Sequence, residues 1–231
     1  MNPLAANIEA IRARIEDTCQ RCDRDPQEVR LIAVSKVKPA ALVEQAFAAG
    51  QQLFGENYVQ EFRTKSEEVK APVSWHFIGA LQSNKVKSLR GKVAMIHSVD
   101  RLSLAEEIDR QWAKLDTRLD ILLQVNIGDE ESKAGCPPEQ LESLVRQVAQ
   151  LKNLRIRGFM CLPPYADDAE EVRPYFRRMR ELRDAIAALD ISGVETAELS
   201  MGMSGDFPVA IEEGATLVRV GTAIFGQRRK D

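Results

Sequence analysis

Residues 30–50, RLIAVSKVKPAALVEQAFAAG, contain a whole strand-and-helix unit. The run 31–36 is apolar or small up to Lys36, which reads as a strand buried on both faces. Pro39 then stands at a first helical position and Gly50 just past the helical stretch, the asymmetry of helix ends. A strand covered on both faces needs helices on both sides, so the pattern predicts a parallel sheet.

The unit recurs along the chain. Apolar runs at 31–36, 52–55, 75–79, 94–99, 119–127, 154–162, 195–202 and 216–226 alternate with helical patterns near 39–49, 57–69, 82–90, 101–114, 138–151, 168–189 and 206–213. Pro137 and Pro138 precede one of these helices and Asp206 another, as helix starts do. Eight strands with seven helices between them predict one α/β domain over residues 1–231, a (β/α)8 TIM barrel, for which about 250 residues is usual. An open doubly wound sheet is the alternative. Only QRRKD follows Gly226, so the surplus N-terminal helix in AANIEAIRARIEDTCQRC is expected to cover strands one and eight, where an eighth helix would lie.

With 44% hydrophobic and 29% charged residues the composition is that of a globular domain with a sizeable core. The 32 basic and 35 acidic residues are well mixed, which argues against a nucleic-acid partner. The first residues lack an apolar signal core and no run is long enough to span a bilayer, so a cytoplasmic protein without a membrane partner is expected. Four cysteines in a chain this long do not form a disulfide framework, and the C-x-x-C of Cys19 and Cys22 closes the first helix, where packing is the better reading than redox or zinc chemistry.

Barrels carry their chemistry at the C-terminal ends of the strands. Lys36 ends strand one. It either reaches solvent along its apolar stem or serves as an amine whose pKa is lowered by desolvation and by the nearby Lys38, ready to form a Schiff base. Arg219 interrupts strand eight and points either to a helix carboxylate or to the barrel mouth, where an arginine can face a pyridine nitrogen. The segments SMGMSGD (200–206) and GTAIFG (221–226) follow strands seven and eight, the pair of loops at which barrels hold phosphate. A helix starting near Asp206 would add N–H donors there.

Asn57 and Tyr58 follow strand two. Asn57 could orient the phenolic oxygen of a bound ring or cap a helix. His76 reads as a packed core residue, and with only two histidines a histidine metal site is not expected. An amine, a phosphate site and a cation across the barrel together fit pyridoxal phosphate.

At these residues the sequence resembles the pyridoxal phosphate homeostasis family, barrel proteins related to the N-terminal domain of alanine racemase. The matching stretches are LIAVSKVKP, FGENYVQE, WHFIGALQSNK, HSVDR, VNIGDEESKAG, RGFMCLPP, LSMGMSGDF and VRVGTAIFG, spread over residues 31–226. The resemblance implies that Lys36 carries pyridoxal 5'-phosphate as a Schiff base. It implies that Ser200, Met203, Ser204, Gly221 and Thr222 surround the phosphate, with Arg219 at the ring nitrogen. Lys38, Asn57, Tyr58 and Lys133 match positions near the pocket, and the family is regarded as carrying or regulating the vitamin B6 pool.

Catalysis is the competing reading. Racemases of this barrel type resemble two-domain dimers whose second domain supplies an acid/base, and with only QRRKD after Gly226 no such domain is expected here. Tyr58, Lys38 and Lys133 are the candidate substitutes. An arginine at the ring nitrogen disfavours its protonation and weakens the ring as an electron sink. The expectation is therefore a non-catalytic carrier, monomeric or weakly dimeric, that passes cofactor to apo-enzymes. The alternative is a small amino-acid racemase or lyase. A cofactor-free aldolase would need a lysine on strand six, and LRIRGFMCLPP has none.

Overall fold

In the computed structural model, which describes residues 3–128 and 134–227, the strands are β1 Arg30–Val34, β2 Leu53–Glu56, β3 Ser74–Phe77, β4 Met95–Val99, β5 Leu119–Val125, β6 Leu154–Cys161, β7 Val194–Ser200 and β8 Leu217–Val220. They pair in parallel, in chain order, and β8 returns to β1 with Leu31 opposite Val218, so the barrel closes. The helices are α1 Pro3–Arg21, α2 Ala40–Ala48, α3 Val59–Glu68, α4 Leu102–Trp112, α5 Leu141–Val148, α6 Arg173–Ala187, α7 Phe207–Glu212 and α8 Thr222–Phe225. The predicted (β/α)8 architecture is the observed one.

Strand alternation sorts the side chains into two cores. Ile32, Met95, Leu122, Met160 and Leu217 form an apolar plug inside the barrel, while a larger cluster lies between strands and helices. Two residues further along the same strands, the inward positions turn polar at His97, Gln124 and Arg219. The polar layer therefore rests on an apolar floor and faces the C-terminal mouth.

α1 fills the predicted gap. Leu4, Ile8, Ile11, Ile15 and Cys19 recur at helical spacing and are buried, and the helix packs on α2, α7 and α8. Asn7 Nδ2 donates to the Ile224 carbonyl at 2.9 Å, and Arg24 Nη1 to the carbonyls of Ile211 and Ala215 at 2.6 and 2.9 Å. Cys19 serves this packing, and its burial raises the thiol pKa above its ordinary value. Among the described residues no helix is long and apolar enough to cross a membrane.

Most strand boundaries differ from the sequence reading by one or two residues, and strand one, strand eight and the segment near 82–90 bear on the site. Strand one stops at Val34, where the Ser35 carbonyl leaves the sheet to accept from the Lys38 N–H and from Lys65 Nζ. Strand eight stops at Val220, where Gly221 starts α8 and its carbonyl accepts the N–H groups of Ile224 and Phe225. The segment near 82–90 contains a 3-10 helix, Ser83–Ser88, closed by an N–H bond from Leu89 to Val86. Lys133 lies outside the described residues.

Candidate functional site

Lys36 sits half-buried in the turn between β1 and α2, two residues past the strand end. It lines a pocket with Val34, Lys38, Gly221, Thr222 and Gly226. The barrel's closure at β1 and β8 thus brings the amine of the first βα unit against the loop of the last, 185 residues away in sequence (221 minus 36).

Lys38 has a structural task. Its Nζ donates to the carbonyls of Phe225, Gly226 and Gln227 at 2.9, 3.1 and 3.2 Å, which uses all three N–H directions of an ammonium. These carbonyls close α8, where a cation is favourable. Lys38 ties the last helix to the first strand, and in this state it has no lone pair to offer.

Gly221 is the point of close approach. A Cβ there would come 3.2 Å from the Val34 carbonyl and 3.4 Å from its Cβ, so a side chain would press on the strand that leads to Lys36. The Gly221 N–H donates to Ser204 Oγ at 3.3 Å, and Thr222 opens α8, whose first N–H groups have no carbonyl of their own helix to bond. Ser204, Gly221 and Thr222 are therefore gathered by the loops after β7 and β8. Met203 is exposed beside them, its N–H held by the Asp206 carboxylate, which is how Asp206 is used in place of a helix cap.

Ser200 sits elsewhere, at the end of β7 and buried inside the barrel. Its Oγ accepts from Arg219 Nη1 at 2.6 Å and lies 2.9 Å from His97 Nδ1. Arg219 points inward, is almost fully buried, and donates its other nitrogen to the Cys161 carbonyl at 2.9 Å. His97 Nε2 meets His76 Nδ1 at 2.9 Å, so a chain of hydrogen bonds crosses the barrel from β3 to β8. Burial holds His76 at a pKa of about 4, and burial, His76 and Arg219 keep His97 well below its ordinary value. Both rings are neutral near pH 7, and Arg219 is the charge of the layer.

The sequence does not single out His97, and His76 alone reads as a packed residue. The available signal was one histidine in each of two consecutive strand patterns. Asn57 lies at the mouth just after β2, while the start of α3 falls on Tyr58, so Asn57 is not the helix cap. Gly79 lets the chain after β3 pass over it: a Cβ there would meet the Asn57 carbonyl at 2.0 Å.

Residues 6–229 match the family described as alanine racemase, N-terminal domain. The pyridoxal phosphate homeostasis protein of Pseudomonas aeruginosa is 46% identical over 99% of this chain and 97% of the relative. That of Aquifex aeolicus is 45% identical over 96% and 97%. The chain belongs to the pyridoxal phosphate homeostasis protein family. PipY of Synechococcus elongatus, a solved structure with PLP bound, superposes with a TM-score of 0.85 at 38% identity, over 96% of this chain and all of that one.

Proposed function

We propose that this family member binds pyridoxal 5'-phosphate at the C-terminal mouth of the barrel and acts in vitamin B6 homeostasis without turning over a substrate. The observation that carries the reading is the pocket in which Lys36 meets Gly221 and Thr222. When bound, the cofactor supplies an aldehyde that an amine can hold covalently and a conjugated ring that withdraws electrons. The donors present fit its parts: a primary amine for the aldehyde, hydroxyl and backbone N–H groups for a phosphate dianion, and a guanidinium for the ring nitrogen. The PLP-bound structure of PipY supports the cofactor itself.

In this reading Lys36 holds the cofactor, and Ser204, Gly221 and Thr222 bind phosphate with Met203 alongside. Arg219 faces the ring nitrogen and Asn57 the phenolic oxygen. Ser200 acts one step back, fixing the guanidinium. The barrel with its covering α1 is one cofactor-binding domain. The recipients would be cytoplasmic apo-enzymes that use the same cofactor.

A carrier is favoured over a racemase by the state of the candidate acids and bases. Lys38 spends its donors on three carbonyls, and Tyr58 is exposed at the start of α3. Arg219 keeps a positive charge where ring protonation would need its absence. The match to the alanine racemase N-terminal domain makes an amino-acid racemase the second reading.

Addition of pyridoxal 5'-phosphate should produce a visible absorption band, and borohydride followed by peptide mapping should place the adduct on Lys36. Lys36→Ala should abolish both. Adducts scattered over surface lysines would return Lys36 to a solvated role, and steady amino-acid turnover lost in Lys36→Ala would replace the carrier with an enzyme.

A further inference from the structure

The turn that carries Lys36 is gripped from behind by a buried ionic cluster that cofactor binding does not itself use. Lys65, on α3, is 4% exposed, and Glu56, the last residue of β2, is fully buried. The Lys65 ammonium donates to Glu56 Oε1 at 2.6 Å, to Glu61 Oε1 at 2.7 Å and to the Ser35 carbonyl at 2.7 Å. Ser35 Oγ donates to the same Glu56 oxygen at 2.6 Å, and the Val37 N–H donates to Glu61 Oε1 at 2.6 Å. Lys36 therefore lies between two residues that are each tied to one cluster.

Val37 supplies an independent observation. Its φ of 61° lies in the left-handed region, which a β-branched residue avoids. The side chain is 54% exposed, so burial is not what holds it there. The hydrogen bonds from its neighbours are. Glu56 adds to the same picture: its Oε2 is buried without a hydrogen-bond partner, and burial raises its carboxyl pKa. A costly buried cluster beside a strained, exposed residue marks a geometry that the fold imposes on this turn.

We propose that Lys65, acting through Glu56 and Glu61, is the positioning residue that selects Lys36 over Lys38 as the cofactor-bearing amine. Both lysines line the pocket, and both belong to the same four-residue turn. With the turn clamped, Lys36 addresses Gly221 and Thr222 while Lys38 is spent on the carbonyls of 225–227. With the clamp released, Lys38 can leave those carbonyls and compete. The inference rests on the proposed cofactor role of Lys36.

The test loads the full chain with pyridoxal 5'-phosphate, traps it with borohydride, and measures both the adduct ratio between Lys36 and Lys38 and the rate of band loss on dilution. Lys65→Met with Glu56→Gln removes the clamp without stranding a buried charge. It should move adduct onto Lys38 and speed release roughly ten- to hundred-fold, the range for losing charge-assisted hydrogen bonds. Glu61→Ala, at a partly exposed helix position, should do the same more weakly and stands in if the double variant does not fold. A folded double variant, or Glu61→Ala in its place, that keeps the adduct on Lys36 alone and releases cofactor at the wild-type rate overturns the proposal. A merely structural role would shift the melting temperature and leave the lysine ratio alone. If wild type forms no Lys36 adduct, the cofactor reading itself fails, and this inference with it.

Discussion

Behind Lys36, a lysine sits between two glutamates, so three ionisable groups are buried or half-buried together; across the barrel, His76, His97 and Ser200 meet Arg219 with a single charge among them. The first network grips main-chain atoms of the turn through charge-assisted bonds, the strongest available for fixing a backbone. The second surrounds a guanidinium with neutral partners, which orient it without cancelling its field. Burial is similar in both, and the difference is what each holds: one a strained loop, the other a charge.

The comparison is broken most directly at Lys65. Lys65→Ala leaves Glu56 buried without its cation and should cost about 3–5 kcal/mol in denaturant unfolding, the range for stripping one partner from a buried pair. Adding Glu56→Gln should recover a large part of this. A loss below about 1 kcal/mol for Lys65→Ala alone would class the cluster with surface ion pairs.

Acid separates the two networks by sign. Folded His76 has a pKa of about 4 against an ordinary 6.5, so between those values the unfolded chain binds a proton that the folded chain refuses. The His76 contribution is fully present above about pH 6.5 and is lost as pH falls, which from pH 7 to 5 amounts to about 2 kcal/mol. His97 acts in the same direction. Glu56 acts oppositely: its raised folded pKa lets the native state keep a proton to higher pH than the unfolded chain does, so acidification favours the fold there. Denaturant midpoints at pH 7 and pH 5 should fall with acid in wild type and fall less in His76→Gln. In Glu56→Gln the opposing contribution is gone and the fall should be steeper.

A smaller effect is expected where the neutral network is cut. Ser200→Ala removes the acceptor of Arg219 Nη1 and the partner of His97 Nδ1, and should cost about 1–3 kcal/mol through the groups left unpaired. Cofactor retention should weaken with it, because among the described residues the guanidinium then keeps only the Cys161 carbonyl as a hydrogen-bond partner. Thermal melts with and without cofactor separate the two losses. An unchanged melting temperature would mean that Arg219 is held by packing alone.

The barrel was legible because each strand is a buried apolar run closed by turn residues, and Lys36 and Arg219 stood out as charges inside such runs. α8 was not legible, since TAIF is apolar and partly β-branched and continues the strand pattern of LVRV; the bonds to the Gly221 carbonyl and from the Gly226 N–H to Thr222 turn it into a helix. His97 was hidden for another reason. Its partner is 21 residues away, and nothing local says that adjacent strands bring the two rings to the same level inside the barrel. In the sequence Ser200 reads with the glycine loop that follows it; in the fold strand alternation turns it inward to Arg219.

Lys65 is not legible as a buried cation, because its neighbourhood, TKSEEVK, reads as a solvated helix face. The last prediction uses that ambiguity. Glu61 and Lys65 are an i,i+4 pair, and so are Glu142 and Arg146 on α5, an arrangement that is indistinguishable from the first by spacing. In the second pair both side chains are about half exposed, at 53% and 52%, against 24% and 4% in the first. Water already solvates Glu142 and Arg146, and salt screens them, so Arg146→Ala should change stability by no more than about 0.5 kcal/mol. Cofactor release should be unaffected. Denaturant curves for Arg146→Ala and Lys65→Ala, run side by side at low and high salt, decide the matter: the exposed pair should lose its small effect in salt, and the buried pair should keep nearly all of its own. Equal losses in the two variants would mean that burial does not set the strength of the clamp behind Lys36.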